Sequence, residues 1–361
     1  MTDKIRIAIL YGGTSAEHEV SVVSARSVLQ AIDRDRYEVL PVAITRSGRW
    51  LLPNVAPDEL PETKGSLPAV GDADGRAIVP QPGEWLSAGD ASFTSGPIDV
   101  VFPVLHGPGG EDGTVQGLLE TLGLPYVGAG VAASAVGMDK SLQKPIFAAA
   151  GIPLVDWIAV RFAGFAGDVQ ASVRAAADAI GFPCFVKPAN LGSSIGVSKC
   201  ITPGELMLGM SAAFEHDEVV LVERAISGRE LECAVLGNDR PEASVVGEIV
   251  PVNEFYDYEA KYLAEGSELI IPADIPAEST ERIRELAVRA FTAIGCLGMA
   301  RVDFFLEGDR VWLNEINTIP GFTPISMYPK LWAASGLPYG ALIDRLIDLA
   351  LERHARRRPS P

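Results

Sequence analysis

The chain has 361 residues, 48% of them hydrophobic and 21% charged, the balance of a globular protein. At roughly 150 residues per domain, that length predicts about two to three domains. Asp and Glu number 47 against 30 Lys and Arg, and the formal charge of −17 excludes a general nucleic-acid binder, which needs a basic face.

A local basic pocket for a phosphate ligand is compatible with that balance. The cysteines, at 184, 200, 233 and 296, form no CxxC, and the histidines, at 18, 106, 216 and 354, are scattered. Neither a zinc knuckle nor a disulfide framework is predicted. The start, MTDKIRIAIL, runs from charge straight into a strand-like core, unlike a secretory signal. The longest uncharged stretch, Thr121 to Met138, is broken by Pro125 and four glycines, too polar to span a bilayer. The expectation is a cytoplasmic protein with reduced thiols.

Taken in chain order, Ile5–Leu10 is a short apolar run and reads as a buried strand. Tyr11 to Ser15 is a glycine turn, and a helix follows from about Glu19 to Ala31 with Val20, Val23, Val28 and Ile32 on one face. Tyr37–Ala43 is a second strand. Strand, turn, helix, strand predicts an α/β opening with a parallel sheet. Residues 53 to 97 are rich in Pro, Gly, Asp and Ala and read as a loop-rich excursion with short strands. Val100–Pro103 resumes the sheet. Thr114–Leu122, Lys140–Ala150 and Ala171–Ile180 read as helices, and Cys184–Lys187 and Val197–Cys200 as strands flanking a polar glycine loop. Val219–Glu223 and Glu230–Leu236 are expected to continue one antiparallel sheet. Thr280–Ile294 and Leu342–Ala355 are the last predicted helices.

Several segments carry chemistry. Phe185 to Pro188 leads into the loop Ala189-Asn190-Leu191-Gly192-Ser193-Ser194-Ile195-Gly196. A Walker A loop needs Gly-Lys-Ser/Thr before a helix, and here a strand follows. A Gly/Ser hairpin can still cover phosphates with backbone N–H groups and hydroxyls, with Lys187 at the strand end; an ordinary hairpin is the other reading. Met299 to Phe305 and Val311 to Asn317 are two strands joined at Gly308-Asp309. A three-residue loop, Gly308 to Arg310, puts Asp303 opposite Glu315 and Arg301 opposite Asn317; two- or four-residue loops separate those pairs to opposite faces. Two carboxylates and an amide oxygen on one face repel unless a cation joins them, and an all-oxygen set favours Mg²⁺ or Mn²⁺. A solvated polar face is the alternative. His106 to Thr114 gathers His106, Glu111 and Asp112 among glycines before a helix, as either a capped loop or a substrate loop. Glu17-His18-Glu19 follows the first strand, at the sheet end where α/β proteins bind ligands. Phe255 to Tyr262 suits a lid, and Ile319 to Met327 is an irregular loop whose backbone N–H groups suit an oxyanion.

In order, EHEVS, HGPGGEDGTVQG, MDK, FVKPANLGSSIGV, GRELEC, FYDYEAKY, ARVDFF and NEINTIPGFTPISM closely resemble the D-alanine–D-alanine ligases, an ATP-grasp family. The resemblance runs from Gly12 to about Leu351. It implies an α/β (mixed α+β) ATP-grasp fold of three lobes, 1–128, 129–225 and 226–361, the last two clamping ATP between antiparallel sheets. It implies ligation of two D-alanines through an acyl phosphate, with ATP consumed and the dipeptide entering peptidoglycan. Asp303, Glu315 and Asn317 match Mg²⁺ or Mn²⁺ ligands, two ions per site. Lys140, Lys187, Ser193 and Ser194 match phosphate contacts, and Lys261 would tie the closed lid to the γ-phosphate. Glu223 and Glu230 match positions at the adenine amino group and the ribose, with Arg224, Ala225 and Ile226 lining the adenine pocket. Glu17, oriented by Ser193 and Tyr262, would hold the first ammonium near His106. Ser326 and the Met327 backbone would hold the second carboxylate, with Arg301 and the Gly321 N–H at the oxyanion. Tyr262 favours D-alanine as second substrate over D-lactate or D-serine. Arg224 departs from the lysine common in relatives. A homodimer is the expected assembly, with no nucleic-acid or membrane partner.

Overall fold

The computed structural model describes residues 4–59, 67–81, 85–87, 96–192, 195–250, 268–323 and 325–357. Three sheets organise them. In the first, β1 (Ile5–Gly12) lies between β2 (Tyr37–Ile44) and β6 (Val100–Pro103), and both neighbours are parallel to it. A central parallel strand is covered on both faces, so its apolar run is continuous rather than alternating. Ile7, Ile9 and Tyr11 face one core, while Ala8 and Leu10 face another. The helix α1 (His18–Ala31) buries Val22, Ala25, Val28 and Leu29 against the first of these cores.

The excursion extends this sheet. β3 (Trp50–Pro53), β4 (Gly75–Gln81) and β5 (Trp85–Ser87) add to β2 in antiparallel order. The second sheet, in the order β7-β10-β8-β9, consists of β7 (Trp157–Arg161), β8 (Cys184–Pro188), β9 (Ser198–Cys200) and β10 (Val219–Arg224). The third, in the order β13-β12-β11-β14-β15, consists of β11 (Arg229–Gly237), β12 (Glu242–Val250), β13 (Glu268–Ile270), β14 (Gly298–Glu307) and β15 (Arg310–Asn317). Both are antiparallel throughout. The segments 219–223 and 230–236, expected in one sheet, therefore lie in two. Gly228 makes the transfer: a Cβ there would stand 2.6 Å from the Leu306 carbonyl oxygen.

Helices α2 (Thr114–Thr121), α4 (Lys140–Ala149) and α6 (Val169–Ile180) stand where the sequence predicts them. The structure adds α3 (Val131–Met138), α5 (Phe162–Gly167) and α7 (Pro203–Ala213). α3 buries Ala133 and Ser134 and brings Gly137 against Thr318, so small residues replace the large apolar stripe that periodicity detects. α8 (Ala277–Ala293) covers the third sheet, and α9 (Met327–Ala334) leads to the C-terminal α10 (Tyr339–Arg357). No described helix is long and apolar enough to cross a membrane. All four cysteines are buried and unbridged.

α10 ties the first and third sheets together. Leu342, Ile343, Leu346, Ile347 and Ala350 enter the same core as Ile7, Phe102, Ala234 and Met299. Arg353 is buried there, donating to the Gly128 and Tyr126 carbonyls at 2.5 and 2.8 Å, with its guanidinium 4.2 Å from the Tyr126 ring centre. Replacing Arg353 with Met leaves two buried carbonyls without this donor. The expected cost is about 2–4 kcal/mol, read as a lower midpoint in urea with an unchanged slope. A variant as stable as the wild type would show that α10 is held by apolar packing alone.

Candidate active site

The alternation of strands delivers the charged side chains. In β8, Cys184, Val186 and Pro188 are buried, while Phe185 and Lys187 take the opposite face. In β10, Val220 and Val222 join the same core as Cys184 and Val186, and Glu223 turns to the face of Lys187. In β14, Ala300, Val302, Phe304 and Leu306 fill the core, leaving Arg301 and Asp303 on the other side.

The metal-type hairpin has the predicted pairs for a different reason. Asp303 opposes Glu315 and Arg301 opposes Asn317. Yet Glu307 pairs with Arg310, so the turn has only the two residues Gly308 and Asp309. A register shift between Asp303 and Phe304 makes up the difference, because Phe304 pairs with Leu313 and Asn314 is the extra residue. Two loop lengths thus give one register at the site, and the bulge turns Asn314 to Lys187, whose Nζ donates to its Oδ1 at 3.3 Å.

Each carboxylate here has a cation. Arg301 donates to both Asp303 oxygens, at 2.8 and 2.7 Å, and pairs with Glu232 at 3.0 Å. Burial alone would lower the Arg301 pKa; Asp303 and then Glu232 outweigh it and hold the guanidinium firmly charged. Asn317 Nδ2 donates to Asp303 at 3.0 Å, and Lys140 Nζ stands 3.0 Å from Glu315 and donates to the Leu191 carbonyl. Asp139 caps α4 by accepting from Ser141 and Leu142, and so fixes where Lys140 begins. Lys187 Nζ is 2.9 Å from one Glu223 oxygen, and Lys144 Nζ is 3.0 Å from the other. Burial by itself would raise the Glu223 pKa; the two lysines outweigh it and hold the carboxyl at about 2.

A second cluster lies at the end of the first sheet. Glu17 stands at the N-terminus of α1, beneath Gly107, where a Cβ would meet its Oε2 at 3.0 Å. His106 pairs with Glu111 at 3.6 Å and meets Ser24 Oγ at 3.1 Å. Burial alone would lower the His106 pKa; Glu111, with Glu17 behind it, reverses this and holds it above the usual range. Burial raises the Glu111 carboxyl, opposed by its bond to His106. In the loop after β15 a Cβ on Gly321 would stand 2.8 Å from Ser326 Oγ, and Ser326 accepts from the Thr323 N–H at 3.0 Å. The Met327 side chain packs down toward Gly247, leaving its main chain to the loop.

Arg224 turns to the third sheet, pairing with Glu307 at 3.3 Å and lying 5.5 Å from the Trp312 ring centre. Its N–H and that of Ala225 donate to the Asp156 and Pro183 carbonyls. Ile226 follows, and Glu230 on β11 is close enough for its charge to be felt at Lys187. Glu223, expected at an adenine amino group, has its carboxylate buried between lysines instead. Ser193, Ser194, Lys261 and Tyr262 lie outside the described residues.

Sequence reasoning assigned no role to Lys144, Glu232 or Asn314. For Lys144 a signal existed. Lys140, Gln143, Lys144 and Phe147 form the buried face of α4, at i, i+3, i+4 and i+7. Charge on the face that should be apolar marks a site. Among the described residues no cluster of three or more His, Cys, Asp or Glu is placed for a metal. The Asp303–Glu315 pair is completed only by the amide of Asn317, an oxygen set suited to a hard divalent cation.

Two family models match the chain: D-ala D-ala ligase N-terminus over residues 6–129 and D-ala D-ala ligase C-terminus over residues 146–348. A D-alanine–D-alanine ligase of Acetivibrio thermocellus is 49% identical over 98% of each chain. The D-alanine–D-alanine ligase structure from Coxiella burnetii superposes with a TM-score of 0.85 at 39% identity, covering 99% of this chain and 96% of that one. The VanG D-Ala:D-Ser ligase of Enterococcus faecalis superposes with a TM-score of 0.82 at 35% identity, covering 96% of this chain and all of its own.

The His106 pairing predicts a pH effect. A histidine whose folded pKa is raised contributes its stability fully below the ordinary value near ~6.5 and loses it as pH rises through the folded value. The melting temperature of His106→Gln should therefore fall furthest below wild type in mild acid, and the gap should narrow toward about pH 9. A gap independent of pH would mean that the ring is held neutral.

Proposed function

Because the chain belongs to the D-alanine–D-alanine ligase family, we propose that it joins two D-alanines to D-alanyl-D-alanine at the expense of ATP, for peptidoglycan synthesis. One observation carries this reading. Lys140, Lys187, Arg301, Asp303, Glu315 and Asn317 come from three parts of the chain and gather around one hairpin of the third sheet: Lys140 meets Glu315, Lys187 meets Asn314, and Arg301 and Asn317 meet Asp303. A carboxylate is a poor electrophile, and conversion to an acyl phosphate makes it attackable; that step calls for cations around a triphosphate.

The residues divide the work. Lys140 and Lys187 offer positive charge to the ATP phosphates, beneath the loop that carries Ser193 and Ser194. Arg224, Ala225 and Ile226 border the base, with Glu230 toward the ribose. Asp303, Glu315 and the free amide oxygen of Asn317 would hold Mg²⁺ or Mn²⁺, two ions per site, which neutralise charge on the transferring phosphoryl group. Glu17 takes the ammonium of the first D-alanine, with His106 and Glu111 fixing its loop. Ser326, whose hydroxyl lies beside Gly321, and the Met327 main chain take the second carboxylate. The second amine then attacks the acyl phosphate, and Arg301 with the Gly321 N–H receives the oxyanion. Lys261 would meet the γ-phosphate and Tyr262 would help orient Glu17; exclusion of water protects the acyl phosphate from hydrolysis. The three lobes, 1–128, 129–225 and 226–361, follow this division of labour.

The test is phosphate release from ATP and Mg²⁺ with D-alanine alone, then with D-serine or D-lactate added, and with products separated. Release with D-alanine alone, giving the dipeptide, is expected. A mixed product made in preference would move the chain to the D-alanine–D-serine or D-alanine–D-lactate ligases, and no D-alanine-dependent release would remove the reading. Asp303→Asn and Glu315→Gln should each lower turnover by about a hundredfold or more at ordinary Mg²⁺; near-normal rates would remove the metal assignment.

A further inference from the structure

Lys144 is the most buried cation of the site, with its side chain 1% exposed, and none of the roles above uses it. It lies one helical turn after Lys140 on the same face of α4. Its Nζ is 3.0 Å from Glu223 Oε1, while Lys187 Nζ is 2.9 Å from Glu223 Oε2. Glu223 is itself 3% exposed, whereas Lys187 is 15% exposed and also donates to Asn314. So one buried carboxylate is shared by two lysines, and only one of them opens toward the crevice.

The charge count follows. Lys187 with Glu223 alone is a neutral pair and has little to give an anion. Adding Lys144 makes the group singly positive, and the positive member that reaches the crevice is Lys187. A buried carboxylate that loses its partner is strongly destabilised. With Lys144 in place, Lys187 can lean to a phosphate without stripping Glu223 of its counter-ion. We propose that Lys144 is a positioning residue for nucleotide binding: it is the standing counter-ion of Glu223 and leaves Lys187 charged for the ATP phosphates. This rests on the reading that Lys140 and Lys187 bind ATP. The balance of charge supports it, since Lys144 comes ahead of Lys187 among the influences holding the Glu223 carboxyl down. Burial holds the Lys144 ammonium below its ordinary pKa, and Glu223 is the largest charge opposing that pull.

The experiment is calorimetric titration of the full chain with AMPPNP and Mg²⁺, and separately with adenosine, which lacks phosphates. Lys144→Met should weaken AMPPNP binding about tenfold or more and leave adenosine within about twofold. Lys144→Met combined with Glu223→Gln removes both charges and should restore AMPPNP affinity to within about threefold of wild type. Equal losses for AMPPNP and adenosine, or no recovery in the double variant, would overturn the proposal and leave Lys144 a packing residue. Should Lys144→Met fail to fold, Glu223→Gln and the double variant carry the test. Deleting Lys144 in that neutral background should change AMPPNP affinity by no more than about threefold, and a tenfold fall overturns the proposal. Wild type that fails to bind AMPPNP overturns the ATP reading, and this proposal with it; wild type that binds while Lys144→Met matches it overturns this proposal alone.

Discussion

Buried carboxylates must each have a cation, and that constraint organises the centre of this molecule. Glu223 and Glu232 are buried, and Asp303 and Glu315 are partly so. Left unpaired there, each would be costly, because removal from water penalises the charged form. Lys144 and Lys187 answer Glu223, Arg301 answers Glu232 and Asp303, and Lys140 answers Glu315. The partners come from α4, β8, β10, β11, β14 and β15. The charges therefore fix how these elements meet, and they line the site with cations suited to a phosphate ligand.

Apolar packing supplies the frame on which those charges sit. Phe322, in the loop after β15, meets Phe102 of the first sheet edge-on at 5.9 Å and also contacts Tyr328 and Tyr339. Tyr339 donates to the Phe322 carbonyl, and Tyr328 to that of Val235. The loop that carries Gly321 and Ser326 is thus anchored to the first sheet, to α9 and α10, and to the third sheet at once. A site for two small substrates needs this, since the amine of one must meet the carbonyl of the other within bonding reach.

The family resemblance extends across ligases that differ in their second substrate. The D-Ala:D-Ser ligase superposes nearly as well as the D-alanine–D-alanine ligase. Choice between second substrates falls to a few groups around the attacking atom, and the fold is indifferent to them.

The sequence by itself determined the α/β opening, the parallel core strands, the main helices and the motifs that mark the site. Local periodicity and glycine placement are enough for these, because each depends on neighbours in the chain. It offered the pairing of Asp303 with Glu315 only for a three-residue loop, whereas the structure has a two-residue turn and a bulge at Asn314 that restores the pairing. The bulge was not legible, because a bulge is set by what packs on both sides of the strand. Small-residue helices such as α3 and the strand β12 carried too little pattern to predict. That Val219–Glu223 and Glu230–Leu236 belong to different sheets left no local signal beyond Gly228 between them, which passes too close to Leu306 for a Cβ. Only the tertiary structure could put Lys144 against Glu223 or Arg301 between Glu232 and Asp303. Partners far apart in the chain leave no periodic trace, and their energy exists only once water has been excluded between them.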